Sequence, residues 1–183
     1  FVEKICINED QIFILDNFSN SNLIYLNQFN KEDKIKIFKC DIAEKEETKK
    51  VIEKIIKLSK SDLKIWHFAA NSDISKGIKD PNIDLKNTFM TTFNLLECCR
   101  LFGIKSFYFA SSSAIYGDHD KDLIKEDTGP LMPISNYGAM KLASEAHCFA
   151  SFESFLEDLY IFRFPNIVGA PATHGVIFDF IKK

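Results

Sequence analysis

The chain has 183 residues, enough for one domain with a sizeable core, and its 46% hydrophobic and 27% charged content is ordinary for a globular protein. Net charge is −3 with Lys and Arg dispersed, which argues against a nucleic-acid or membrane-surface partner. No apolar run reaches the ~18 residues of a membrane span, and the opening FVEKICINED lacks the apolar stretch of a signal peptide, so a cytoplasmic protein is expected.

The five cysteines, Cys6, Cys40, Cys98, Cys99 and Cys148, are odd in number and show no C-x-x-C spacing; they read as reduced packing residues. The 18 Phe fall in strand-like and helix-like runs and read as core. Asn17-Phe18-Ser19 is a formal glycosylation sequon, without weight in a chain that shows no secretory signal. The first residue is Phe rather than Met, so the sequence reads as part of a longer chain.

In chain order, QIFILD (11–16), KIKIFKCDI (34–42), LKIWHFAA (63–70), KSFYFASSS (105–113) and LYIFRFPNIVG (159–169) predict strands. Most are apolar on consecutive residues, as in strands buried on both faces. Between them run helical patterns. EETKKVIEKIIKLSK (46–60) sets Val51, Ile52, Ile55 and Ile56 against Lys and Glu. A second spans 83–103 and stops at Gly103, a natural C-terminal cap. A third spans 135–158, with Ser135 or Asn136 as N-cap. Strand–helix–strand repetition predicts an α/β domain, a parallel sheet with helices on both faces. The long polar segment 117–134 follows a strand end, where structured loops usually serve function.

SSSAIYG (111–117) closes the fourth strand, and open parallel sheets bind ligands outside the carboxyl ends of their strands. Downstream lies YGAMK, whose Tyr137 and Lys141 are four residues apart and leave one face of a helix. A Lys ammonium favours a nearby phenolate, which otherwise forms only near pH 10. A serine hydroxyl beside the pair could orient a substrate oxygen. Such a set suits removal of an alcohol proton while hydride leaves the same carbon. A Tyr-x-x-x-Lys pair alone is common by chance, and a serine triplet alone is a turn; their order and placement together point to chemistry. Asp118, His119 and Asp120 read as a solvated loop rather than a metal site, and His67, His147 and His174 are scattered, so no metal is expected.

The set ILDNFSN (14–20), FKCDI (38–42), HFAANSD (67–73), NLLE (94–97), FASSSAIYG (109–117), YGAMK (137–141) and RFPNIVG (163–169) resembles the NAD-dependent epimerase/dehydratases, the extended short-chain dehydrogenase/reductases that act on nucleotide sugars. The resemblance spans nearly the whole chain. It implies a Rossmann-type doubly wound sheet in a single partial domain over 1–183, with a substrate region beginning near 166–183. It implies Tyr137 as base, Lys141 as its partner and a hold on the nicotinamide ribose, and Ser112, five residues before Gly117, as the catalytic hydroxyl. Asp16, with Asn17 beside it, corresponds to the acid on the adenosine ribose, and a carboxylate there favours NAD over NADP. Asp41 and Ile42 correspond to adenine contacts, Phe68, Ala69 and Ala70 to the small-residue loop under the pyrophosphate, and Pro165 to the residue beside the carboxamide. Ser112, Ser113, Tyr137 and Asn166 correspond to substrate contacts.

The family's glycine-rich phosphate loop has no counterpart among the seven glycines, at 77, 103, 117, 129, 138, 169 and 175. FVEKI, with Phe1, Val2 and Ile5 on one face, corresponds to the end of the helix after that loop. Lacking the central strand, the chain is expected to divide its strands into two groups and to hold NAD weakly. Dehydratases of the family carry Asp-Glu directly after the catalytic hydroxyl; here Ser113 and Ala114 occupy those places. The resemblance therefore implies 4-epimerisation of a nucleotide-diphosphate hexose with NAD, in a protein that is a homodimer when full length. Dehydration or reduction within the same family, and a non-catalytic nucleotide-binding or scaffold relative, are the alternatives.

Overall fold

A computed structural model describes residues 11–20, 34–71, 73–119, 123–167 and 180–181. Phe1, Val2, Ile5, Cys6, Asp120, His174 and most of the expected substrate region lie outside the described residues. The five expected strands are present: β1 (Ile12–Asp16), β2 (Ile35–Lys39), β3 (Lys64–His67), β4 (Ser106–Ser112) and β5 (Asp158–Phe164). All pairings are parallel. They form two groups, β1–β2 and β3–β4–β5, with no described strand between them. The described strands thus fall into the two groups expected.

Helix α1 (Lys45–Leu58) is amphipathic and buries Thr48, Ile52 and Ile55. After β3 the chain makes α2 (Ile74–Lys79), a helix beyond those expected; the Asp73 side chain caps it by accepting from Lys76 N. The helix expected at 83–103 begins earlier, as α3 (Pro81–Asp84), because Asp80 caps it and Pro81 fits the first helical position. It then widens into a π-helical turn (Leu85–Met90) before α4 (Thr91–Phe102). Such turns admit one extra residue per turn and are frequent at functional sites. Gly103 closes α4 in the left-handed region at φ 70°, a conformation that disfavours side chains with a Cβ. Helix α5 (Asn136–Ser154) starts at the expected cap, Ser135, but ends before 158 because Leu156 turns inward and is buried.

Phe107 and Phe109 of β4 are wholly buried against Ile52, Ile55, Leu95, Leu96 and Cys148, so α1, α4 and α5 all pack on that face. The alternating residues carry stacked rings on the opposite face: Trp66 on Tyr108 at 4.1 Å and Tyr108 on Tyr160 at 5.0 Å between centroids. Cys40, Cys98, Cys99 and Cys148 are buried and unbridged, as expected. Burial pushes the thiols of Cys40 and Cys98 up to about 11, so they behave as small apolar groups. No helix among the described residues is long and apolar enough to cross a membrane. Because Phe107 touches all three helices' packing layer, Phe107→Ala should lower the unfolding free energy by about 3–5 kcal/mol, measured by denaturant titration.

Candidate active site

β4 and α5 build the centre of the site. β4 delivers Ser111, Ser112 and Ser113 at its carboxyl end, where Ala114 N donates to Ser112 Oγ at 3.2 Å and folds 113–115 into a tight turn. α5 starts directly beside this turn. A Cβ on Gly138 would lie 2.5 Å from the Ala114 carbonyl oxygen and 3.0 Å from Pro133, so only glycine lets the helix approach this closely. Ser135 Oγ accepts from Gly138 N at 3.0 Å and fixes the first turn.

The helical spacing puts Tyr137 and Lys141 on the face toward β4. Lys141 is buried, and its Nζ donates to the Ala110 carbonyl at 2.6 Å while lying 4.7 Å from the Phe109 ring centroid. Burial lowers its pKa to about 8. The same ammonium is 5.8 Å from the Tyr137 ring centroid. The Tyr137 phenol is shifted upward: burial is the main cause, hydrogen bonding from Ser112 opposes it, and the charge of Asp84 adds to it. The Lys141 ammonium, bonded to the Ala110 carbonyl, is not among the causes of this shift. His67 is buried beneath, its Nε2 3.0 Å from Thr92 Oγ1. The Thr92 hydroxyl donates to Thr88 O at 3.1 Å, which leaves Nε2–H as the donor of the pair. Burial, then Lys141, lowers the His67 pKa to about 3, so the ring is neutral.

A cavity of about 240 Å³ opens at the carboxyl ends of β1, β2 and β3, between the two strand groups. Asp16, Asn17, Asp41, Ile42, Ala69 and Ala70 line it, six of the expected cofactor contacts. Asp16 ends β1 and takes the Phe18 N–H on Oδ1 at 2.7 Å. Asp41 accepts from Ala43 N at 3.0 Å. Asn94, the first residue of NLLE, donates to the carbonyls of Ile42 and Ala43 at 3.0 Å each and so pins that loop to α4. Phe68 stands apart: its exposed ring stacks along Trp66, 6.3 Å between centroids.

Ser113 and Pro165 line a second hollow of about 750 Å³ beside β5 and α5. Asn166 is exposed just beyond β5. Ser112, Tyr137 and Lys141 line neither space, while Ser113 and Pro165 line the second. In the second hollow, Arg163 Nη2 donates to Glu145 Oε2 at 2.9 Å while its Nη1 donates to Tyr116 Oη at 3.0 Å and to the Glu126 carbonyl at 2.7 Å. The guanidinium ties the 123–134 segment to β5 and α5.

Asn71, Asn87 and Thr91 also line the cavity, and the sequence reading did not single them out. The signal was the polar run in NTFMTTFN (87–94), whose Thr88, Thr91, Thr92 and Asn94 are buried in a helix that packs on the sheet. Among the described residues no cluster of His, Cys, Asp and Glu could hold a metal ion.

The chain matches the model of the NAD dependent epimerase/dehydratase family over residues 14–183 and belongs to that family. The UDP-glucose 4-epimerase of Lacticaseibacillus casei is 36% identical over 58% of this chain and 32% of its own length. The UDP-Glc/GlcNAc 4-epimerase of Campylobacter jejuni is 28% identical, with a TM-score of 0.79 over 88% of this chain and 48% of the other. The UDP-N-acetylglucosamine 4-epimerase of Methanobrevibacter ruminantium, solved with UDP-N-acetylmuramic acid, is 27% identical, with a TM-score of 0.81 over 99% and 57%. The chain is a partial, Rossmann-like α/β unit and spans about half the length, or less, of the relatives it matches.

Lys141 gives up its proton at about pH 8 in the folded protein against 10.5 when free. The folded state therefore holds fewer protons than the unfolded chain between those values, and stability must rise with pH across that window. The buried charge is disfavoured in full below it. Relative to Lys141→Met, the wild-type unfolding free energy should climb by about 3 kcal/mol from pH 8 to pH 10.5 in denaturant titrations. Parallel pH profiles for the two proteins would contradict this.

Proposed function

We propose that the protein is an NAD-dependent nucleotide-sugar 4-epimerase that acts by transient oxidation at C4 of a UDP-hexose. The observation that carries the reading is the grouping of Ser112, Tyr137 and Lys141 where β4 meets α5, next to Ser113 and Ala114. Dehydration of a 4-keto sugar needs its own acid and base at those two places, and neither a serine nor an alanine supplies them. The relatives named as 4-epimerases, and the UDP-sugar in one of their structures, support the substrate class.

In this reading the cavity between the strand groups holds the adenosine half of NAD. Asp16 accepts from the ribose hydroxyls, Asp41 and Ile42 flank the adenine, and Ala69 and Ala70 let their backbone approach the pyrophosphate. NAD, when bound, would supply the acceptor for the C4 hydride and its return. Tyr137 takes the proton of the C4 hydroxyl, Ser112 holds that oxygen and shares its proton, and Lys141 anchors the first turns of α5 while serving the nicotinamide ribose. The 4-keto sugar turns over in the site, and Tyr137 gives the proton back on the other face. Asn166, Ser113 and Pro165 meet the sugar and the carboxamide. The full-length protein is read as a cytoplasmic homodimer pairing through α4 and α5.

The Asp16 carboxylate should repel a 2′-phosphate, so the full-length protein should bind NAD more tightly than NADP in equilibrium titrations. Tighter NADP binding would remove Asp16 from this role.

Tyr137→Phe keeps the ring and removes its ionisable oxygen, so folding and NAD binding should change little while kcat falls by about 10²–10⁴-fold. The deciding assay uses a UDP-hexose with deuterium at C4. Full retention of the label at C4 of the epimer, with no net NADH, is expected. A 6-deoxy-4-keto product, or loss of the label to solvent, would replace epimerisation with another route.

A further inference from the structure

Asp84 closes α3 and is 0% exposed, yet among the described residues no ion pair reaches it. Asn71 Nδ2 donates to Oδ1 at 2.7 Å, and Oδ2 has no hydrogen-bond partner among the described residues. A buried carboxylate without a cation is costly, so its retention calls for a reason. The nearby lysines are engaged or outside: Lys76 pairs with Asp73 at 3.6 Å, Lys86 pairs with Glu44 at 2.7 Å, and Lys79 is exposed.

Oδ2 rests against Gly77, where any Cβ would overlap it. The Gly77 carbonyl accepts from Asn136 Nδ2 at 2.9 Å, and Asn136 immediately precedes Tyr137. The carboxylate is thus wedged under the first turn of α5. Its clamp, Asn71, lines the cavity, and Asn71 N donates to Thr88 Oγ1 of the π-helical turn at 3.2 Å. One network therefore joins the cavity wall, the π turn and the start of α5.

We propose that Asp84 is a positioning residue for Tyr137: its carboxylate, held by Asn71 beneath α5, supplies the negative charge against which the phenol ionises, and so sets the pH at which the base becomes available. The inference rests on the reading of Tyr137 as base. The groups facing Tyr137 are Ser112 from β4, which favours ionisation, Lys141 on its own helix, whose ammonium is bonded to Ala110 O, and Asp84 from α3. Burial raises the phenol most, and Asp84 is the charged group that adds to it.

The test is an ultraviolet phenolate titration of the full chain, with Tyr137→Phe subtracted to isolate the transition of Tyr137 from the other tyrosines. Asp84→Asn preserves the acceptor for Asn71 and removes the charge. The Tyr137 transition should move to lower pH, and the rising limb of the kcat pH profile with it. At a fixed pH on that limb kcat should rise several-fold, about tenfold for each pH unit of movement, with KM unchanged. Asp84→Ala is the second charge-removing variant and should shift both in the same direction. A purely structural role would lower stability and leave both transitions in place, which would overturn the inference. A wild-type Tyr137 transition below that of free tyrosine, about pH 10, would also overturn the inference. If Tyr137→Phe retains full activity, the reading of Tyr137 as base fails. If Tyr137→Phe abolishes activity while both Asp84 variants leave the transition unmoved, only the role of Asp84 falls.

Discussion

The Lys141 ammonium is a cation with almost no access to water, and a buried charge persists only where something replaces its hydration. Here the Ala110 carbonyl and the face of Phe109 do so. Both belong to β4, and Ala110 sits two residues before Ser112. The contact therefore fixes α5 against the end of β4 and sets where Tyr137 stands relative to the serines. Gly138 allows the approach, Ser135 fixes the helix start, and the turn after Ser112 shapes the receiving surface.

That placement has an electrostatic consequence. An ammonium bonded to a carbonyl contributes less to a phenolate than one aimed at the phenol, and the protein around Tyr137 offers burial and the Asp84 carboxylate instead. His67 is kept neutral by its own burial and by Lys141, so it adds no second positive charge beneath the site. The centre holds the ammonium and the phenol on α5 and the Asp84 side chain on α3. Changing any one of them alters the cost of ionising the others.

Much of this was legible in the sequence, because the strands announce themselves as consecutive apolar residues and the Tyr137–Lys141 spacing fixes a shared helix face. The resemblance to the epimerase/dehydratases assigned Asp16, Asp41, Ile42, Ala69 and Ala70 to one ligand, and they do line one cavity. What stayed hidden depends on contacts distant in sequence. Asp84 looks like a surface acid in PNIDLKN and becomes buried only when Gly77 and α5 close over it. The π turn at Leu85–Met90 leaves no periodic mark in so short a stretch, yet it turns Asn87 and Thr91 toward the cavity while Thr88 faces Asn71. The upward shift of Tyr137 comes chiefly from its burial, which the spacing of two side chains on one helix face does not show.

The division of the strands bears on how the two halves of the site communicate. Asp16 and Asp41 come from the ends of β1 and β2, Ser112, Tyr137 and Lys141 from β4 and α5, and no ladder hydrogen bonds join the two groups among the described strands. One side-chain contact between them is Asn94 of α4, which holds the β2–α1 loop, while Asn71, after β3, binds the π turn and Asp84 on its own side. A buried amide left with unpaired groups is expensive, so these contacts are specific in geometry as well as position. Asn71, which borders the cavity, thereby joins its wall to the π turn and to Asp84 beneath the start of α5.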